Sequence, residues 1–149
     1  MATIWHPKNT ISLDRINKLN QNTAIGHLDI KITHIDDDFI QGTMPVSQKT
    51  IQPQGLLHGG ASLTLAESLA SLGAALCVDM SKYNIVGHGI NANHVRSATE
   101  GMVTGIAKPV YLGGKTQVWE IKIYKSETEF VDESLCCVSS MTALRMARR

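Results

Sequence analysis

Residues 1–149 are predicted to form one α+β domain in which an antiparallel sheet wraps a single long helix. Three observations predict it: an almost unbroken apolar helical stretch from Gly59 to Cys77, four extended segments that come after it on short connections, and a strand pair that precedes it. Consecutive strands on short loops pair antiparallel, and the apolar face of such a sheet must be covered by the long helix. A chain of 149 residues suits one compact domain and leaves no room for a second core.

The N-terminal segment, residues 1–27, carries a short helix from Ser12 to Leu19, with Ser12 as N-cap, Asp14 in the first turn and Leu13, Ile16 and Leu19 on one side. Leu28, Ile30 and Ile32 alternate with Asp29, Lys31 and Thr33, the pattern of a half-buried strand. The acidic run Asp36–Asp38 turns the chain into a second strand, Phe39 to Met44. Pro45 and Pro53 bracket a loop before the long helix. The later strands are Ile85–Val95, Met102–Lys108, Thr116–Tyr124 and Leu135–Leu144. In the third of these, Gln117, Trp119, Ile121 and Ile123 face one way while Thr116, Glu120 and Lys122 face the other. Gly113-Gly114 is a turn signal, and Lys125 to Asp132 is a polar connection. The helix between strands is apolar nearly all round, so it is expected to meet a second surface besides the sheet.

Composition narrows the function classes. Hydrophobic residues make up 43% of the chain, which argues against disorder. Charged residues are 18%, below the usual quarter, a deficit consistent with surface buried in an oligomer. A formal charge of +1 gives no basic surplus for a phosphate backbone, so nucleic acid is not expected as a partner. Three cysteines argue against a disulfide framework, and no cysteine–histidine spacing suggests zinc. Cys136 and Cys137 are adjacent in a strand and should point to opposite faces. No secretory signal is evident, and a reducing cytoplasm fits. Ala61 to Val78 approaches the length of a membrane span but carries Glu67 and several hydroxyls, so a buried helix in a protein without membrane contact is expected.

Glu67 is the one charged residue between His58 and Asp79. Leu65, Leu69, Leu72 and Leu76 form an apolar stripe, while Thr64, Glu67 and Ser71 share a polar strip, with Ser68 beside it. A carboxylate on an ordinary exposed face would have charged neighbours, whereas this one has small hydroxyls, which favours a functional site. Upstream lies QPQGLLHGG, Gln52 to Gly60. Gly59 and Gly60 begin the helix, where free N–H groups and the dipole favour negative charge and a carbonyl oxygen can come close. Gln52 and His58 are both able to donate hydrogen bonds to such a carbonyl. Taken alone, this segment equally reads as a glycine-rich turn with His58 as N-cap.

Gly87 to Ala92 matches G-x-G-x-x-A, but Asn93 to Arg96 reads as extended rather than helical, so a dinucleotide site is not expected. His94 and Arg96 share one side of a strand, which is equally the pattern of a solvated face.

At QPQGLLHGGASLTLAES the chain resembles the hotdog-fold thioesterases of the phenylacetate-degradation and 4-hydroxybenzoyl-CoA type, and among these the bacterial 1,4-dihydroxy-2-naphthoyl-CoA hydrolases of menaquinone synthesis. The likeness continues through INANHVRSATEG, KPVYLGGKTQVWEIKI and LCCVSS, from about Leu28 onward. The resemblance implies a hotdog fold, hydrolysis of an aromatic acyl-CoA to free acid and CoA, and no cofactor or metal. It also implies homodimers with shared active sites, paired into a homotetramer. It assigns Glu67 as general base or nucleophile, Gly59 N–H and Gln52 as carbonyl polarisers, His58 as orienter, and Ser71 as the group that positions water or the carboxylate. Coenzyme A would be held by Gly87, His94, Val95, Arg96, Ser97 and the loop Tyr111, Leu112, Gly113, Gly114, Lys115 and Thr116. Helix geometry agrees with sharing: eight residues separate Gly59 from Glu67, roughly 12 Å at ~1.5 Å per residue, too far for one carbonyl to reach both. A non-catalytic acyl-CoA binder and a hotdog dehydratase are the competing readings; the second resembles proteins with a His-Phe-Pro loop that this sequence lacks.

Overall fold

The computed structural model describes residues 2–149. Its elements are helix α1 (Leu13–Asn20), helix α2 (Ala24–His27), strand β1 (Lys31–Ile35), β2 (Ile40–Pro45), the long helix α3 (Gly59–Leu76), then β3 (Tyr83–His94), β4 (Met102–Leu112), β5 (Thr116–Tyr124), a short 3-10 turn (Asp132–Ser134) and β6 (Leu135–Ala147). The six strands form one sheet in the order β1-β2-β4-β5-β6-β3, antiparallel throughout. Helix α3 lies against it, which is the expected hotdog arrangement.

The depth at which α3 sits is set by missing side chains. Gly42 and Gly105 are opposite each other on β2 and β4. A Cβ on Gly42 would lie 2.8 Å from a Leu69 methyl, and one on Gly105 would lie 2.6 Å from the other. Leu69 therefore fills a notch that only two glycines leave open. One turn along, a Cβ on Gly73 would stand 2.6 Å from the Trp119 ring. Trp119 is fully buried; its indole N–H donates to Gln117 Oε1 at 2.8 Å, and Gln117 donates to Ala74 O at 3.2 Å. Trp5 stacks on Trp119, 6.4 Å between centroids.

The C-terminus of α3 has no glycine stop. Instead the N-terminal segment supplies the caps: His6 N–H donates to Leu76 O at 2.8 Å, and Asn9 Nδ2 donates to Leu76 O and Val78 O, both at 2.8 Å. These satisfy carbonyls that a helix end leaves open. Lys8 pairs with Asp79 at 3.3 Å. Hydrogen bonds from Ser81, aided by Lys8 and opposed by desolvation, hold the Asp79 carboxyl down to about 2.

Several boundaries differ from the sequence reading. Ser12 caps α1 as expected, accepting from Arg15 N–H, but Thr23 starts a second helix that takes Leu28 as its C-cap, so β1 begins three residues late. Ile30 and Ile32 are buried as the alternation required. Strand β4 runs four residues past Lys108, through Pro109. Beyond Ala107 it has no β2 partner, and a missing N–H is tolerated at such an edge. Cys136 and Cys137 are both buried; the register shift between Ile123 and Tyr124 skips Cys136, a bulge that breaks the simple alternation of faces. No helix among the described residues is long and apolar enough to cross a membrane.

Gly73→Ala is expected to cost about 1–3 kcal/mol, because the added methyl drives into a buried indole that cannot move without breaking its hydrogen bond to Gln117. Urea denaturation measures it; an unchanged midpoint would show that the helix can rise off Trp119 freely.

Candidate active site

The residues singled out in sequence fall into two places along α3. At the N-terminus, a tight turn carries Gln52: its N–H donates to Leu56 O at 2.8 Å, and Gly55 N–H donates to Gln52 O at 2.9 Å. Gln52 Oε1 accepts the Gln54 N–H, which fixes the side-chain amide with its carbonyl turned into the loop. The Gln52 NH2 has only a 3.4 Å contact to Gln54 Oε1 and remains a donor to the cleft.

His58 is the N-cap. Its Nδ1 accepts Gly60 N–H at 2.8 Å, and its carbonyl accepts Ala61 and Ser62 N–H at 3.0 and 3.1 Å. An accepting Nδ1 assigns the proton to Nε2, which leaves the exposed ring edge as a donor. Among the described residues Gly59 N–H has no acceptor. The first turn of α3 thus presents one unpaired N–H at the positive end of the dipole, where an oxyanion would be stabilised. A Cβ at Gly59 would lie 3.0 Å from His94 Nε2, a tight approach that the glycine relieves. Gln52, Gly59, His94, Arg96 and Ser97 line one cleft of about 220 Å³.

Glu67 opens on a different cleft, of about 440 Å³, with Asn20, Ile25, Ile32, Thr64, Ser68, Ser71 and Leu72. The polar strip expected on α3 is present. Thr64 Oγ1 donates to Gly60 O at 2.9 Å, Ser68 Oγ to Thr64 O at 2.6 Å, and Ser71 Oγ to Met141 Sδ at 3.7 Å. The carboxylate itself lies against β3, where a Cβ on Gly87 would stand 2.5 Å from Glu67 Oε1. Gly87 sits at a register shift of β3 on β6, so the backbone bends where the acid needs space. Glu67 is exposed, however: this chain alone does not enclose the acid-bearing face of α3. Its buried face comprises Ala61, Ser62, Leu65, Ala66, Leu69, Ala70, Gly73, Ala74 and Leu76.

The remaining residues are dispersed. Strand β3 is extended throughout Tyr83–His94, so no helix follows the G-x-G-x-x-A stretch and a dinucleotide motif is absent there. Val95, Arg96 and Ser97 continue from it on the surface near the Gly59 cleft. Arg96 Nη1 donates to Asp132 O at 2.9 Å and to Leu135 O at 2.7 Å, so part of this guanidinium secures the chain entering β6. The Tyr111–Thr116 hairpin, closed by Gly113 N–H to Thr116 O at 2.9 Å, lies at the other end of α3. Leu112 and Gly113 share a cleft of about 260 Å³ with Cys77, Val78, Tyr83 and Arg145; Gly114 and Lys115 are exposed. Sequence reasoning missed Asn20 and Ile25, which come from the loosely matching N-terminal segment and carry no motif. Gly87, a coenzyme contact by resemblance, lies against Glu67 in the structure.

Residues 54–131 match the family model described as the thioesterase superfamily. The chain is 47% identical over 139 residues to 1,4-dihydroxy-2-naphthoyl-CoA hydrolase of Escherichia coli, covering 93% of this chain and 96% of that one. Among solved structures, a thioesterase from Haemophilus influenzae superposes with a TM-score of 0.87 at 42% identity, covering 97% of this chain and 96% of that one. A Staphylococcus aureus protein superposes at 0.77 with 36% identity, covering 85% of this chain and 100% of its own. It has been crystallised as a glutamate-to-alanine variant and as a glutamine-to-alanine variant, at positions fifteen residues apart, the spacing of Gln52 and Glu67.

Arg96→Ala should lower stability by about 1 kcal/mol through loss of its two carbonyl contacts, discounted for exposure. A thermal melt checks this; an unchanged transition would show that the contacts carry no stability.

Proposed function

This chain belongs to the thioesterase superfamily, and we propose that it hydrolyses an aromatic acyl-CoA such as 1,4-dihydroxy-2-naphthoyl-CoA to the free acid and CoA. The observation that carries the reading is a division of labour on one helix: an unpaired Gly59 N–H at its start and a lone carboxylate, Glu67, at its middle. The thioester carbonyl oxygen is placed on Gly59 N–H, with the Gln52 NH2 as second donor and the His58 Nε2–H beside it. Charge that develops on this oxygen is then met by donors already in place.

Glu67 acts in one of two ways. As general base it takes a proton from water while the water oxygen bonds to the carbonyl carbon. As nucleophile its own oxygen forms that bond, and water then attacks the Glu67 carboxyl carbon of the mixed anhydride, expelling the acid with the original Glu67 oxygen. On both routes the oxyanion collapses, the C–S bond breaks and the coenzyme thiolate takes up a proton. Ser71, one turn after Glu67, is assigned to position the water or the carboxylate. Single-turnover hydrolysis in isotopically labelled water separates the routes, since only the anhydride leaves label in the protein.

The two groups open on separate clefts and lie roughly 12 Å apart along α3, at ~1.5 Å per residue. The site is therefore assigned to a homodimer, in which an antiparallel copy of α3 sets the partner's Glu67 beside Gly59. The same packing would cover the exposed acid-bearing face. His94, Val95, Arg96 and Ser97 from one end, with the Tyr111–Thr116 hairpin, are assigned to coenzyme A. The free guanidinium donors of Arg96 suit a phosphate.

Glu67→Gln is expected to slow single-turnover thiol release from aromatic acyl-CoA by about a hundred- to ten-thousand-fold, the usual contribution of a general base, while affinity changes little. Near-normal turnover would remove Glu67 from the chemistry.

A further inference from the structure

The last residue of α1, Asn20, and Ile25 of α2 line the Glu67 cleft, and Asn20 is its single side-chain amide. Three hydroxyls share that cleft, but each spends its proton within the fold: Thr64 on Gly60 O, Ser68 on Thr64 O and Ser71 on Met141 Sδ. Glu67 as a carboxylate only accepts. Ile25, Ile32 and Leu72 are apolar walls. Among the described residues lining the cleft, Asn20 is left as the uncommitted side-chain donor, since its amide has no partner of its own.

Its position is held from several directions. Asn20 O accepts Thr23 N–H at 3.1 Å and Thr23 Oγ1–H at 2.7 Å, which closes the end of α1. One turn earlier Asn17 clamps α1 to β1, donating to Ile32 O and accepting Ile32 N–H, both at 2.9 Å. Asn20 also borders a larger groove of about 600 Å³ beneath α1, with Ile16, Leu19, Leu72 and Leu76. It therefore stands at the junction between the space beside the carboxylate and a groove that combines these aliphatic side chains with a polar rim including Lys8, Arg15 and Asp79.

We propose that Asn20 is the specificity-determining residue that reads an oxygen substituent on the ring of the aromatic acyl group. The proposal rests on the thioesterase reading above and adds which feature of the acyl group is recognised, and by what. A flat ring lies between the apolar walls, and its hydroxyl oxygen accepts the Asn20 Nδ2–H. An unsubstituted ring leaves the amide to water, and an alkyl chain passes it toward the groove with nothing to offer. One hydrogen bond of this kind gives discrimination of about tenfold.

The test compares kcat/KM for benzoyl-CoA, the three ring isomers of hydroxybenzoyl-CoA and octanoyl-CoA, using the full-length wild type, Asn20→Ala and Asn20→Leu. The wild type is expected to prefer at least one hydroxy isomer over benzoyl-CoA by about tenfold, and both variants to erase that preference while benzoyl-CoA turnover stays within about twofold. The benzoyl-CoA rate reports folding and catalytic competence, so a structural defect would lower all substrates together. Such a parallel loss would overturn the proposal, as would a hydroxyl preference that survives both variants or is missing from the wild type. Failure of the wild type to hydrolyse any of these acyl-CoAs and 1,4-dihydroxy-2-naphthoyl-CoA as well would overturn the thioesterase reading itself, and this proposal with it.

Discussion

Leu69 reaches the sheet through the notch that Gly42 and Gly105 leave open, and that contact fixes how low α3 lies. The Gly73–Trp119 approach fixes the same helix one turn later, so its rotation is set as well as its height. Protein interiors at this density do not deform gradually, and a helix seated at two such points has one orientation. With Leu69 seated between β2 and β4 and Gly73 on Trp119 of β5, helical periodicity swings Glu67 and Ser71 to the flank of α3, toward β3 and β6. The placement of the acid thus depends on a packing constraint on the neighbouring face.

The ends of α3 are treated differently, and the difference has a chemical meaning. At the C-terminus the N-terminal segment spends three donors on the last carbonyls and ties itself down through Trp5 and the Lys8–Asp79 pair. At the N-terminus His58 satisfies three of the first N–H groups, which leaves Gly59 alone. Capping elsewhere in the turn holds that single donor rigid without occupying it. Positions that need close approach, Gly59 below His94 and Gly87 beside Glu67, carry no side chain.

Much of this was legible in the sequence because it is periodic. The alternation Gln117, Trp119, Ile121, Ile123 matches the buried face of β5, and the leucine spacing in α3 matches its core face, Leu72 excepted. The Ser12 cap and the glycine-led start of α3 were readable as local chemistry. The features that were not legible depend on contacts between distant segments. Thr23 converts the approach to β1 into a helix, and the loss of β2 as a neighbour lets β4 continue through Pro109. Asn20 bears no local mark at all; only the packing of α1 on β1 and of α2 on α3 brings it to the cleft. The low charge of the acid-bearing face suggested burial, yet Glu67 is exposed in a single chain, because a sequence pattern does not say whether the covering surface belongs to the same molecule.

Whether one site draws on two chains is tested most directly by subunit mixing. Glu67→Ala and Gln52→Ala each impair every site when pure. If each site joins the Gln52 and Gly59 of one chain to Glu67 of its partner, a mixed dimer has one site with both defects and one with neither. Co-refolding equal amounts should then restore roughly a quarter of the wild-type sites, by counting over a symmetric dimer with random pairing. Subunit exchange demonstrated by mass, with no activity above that of the separate variants, would contradict the shared site.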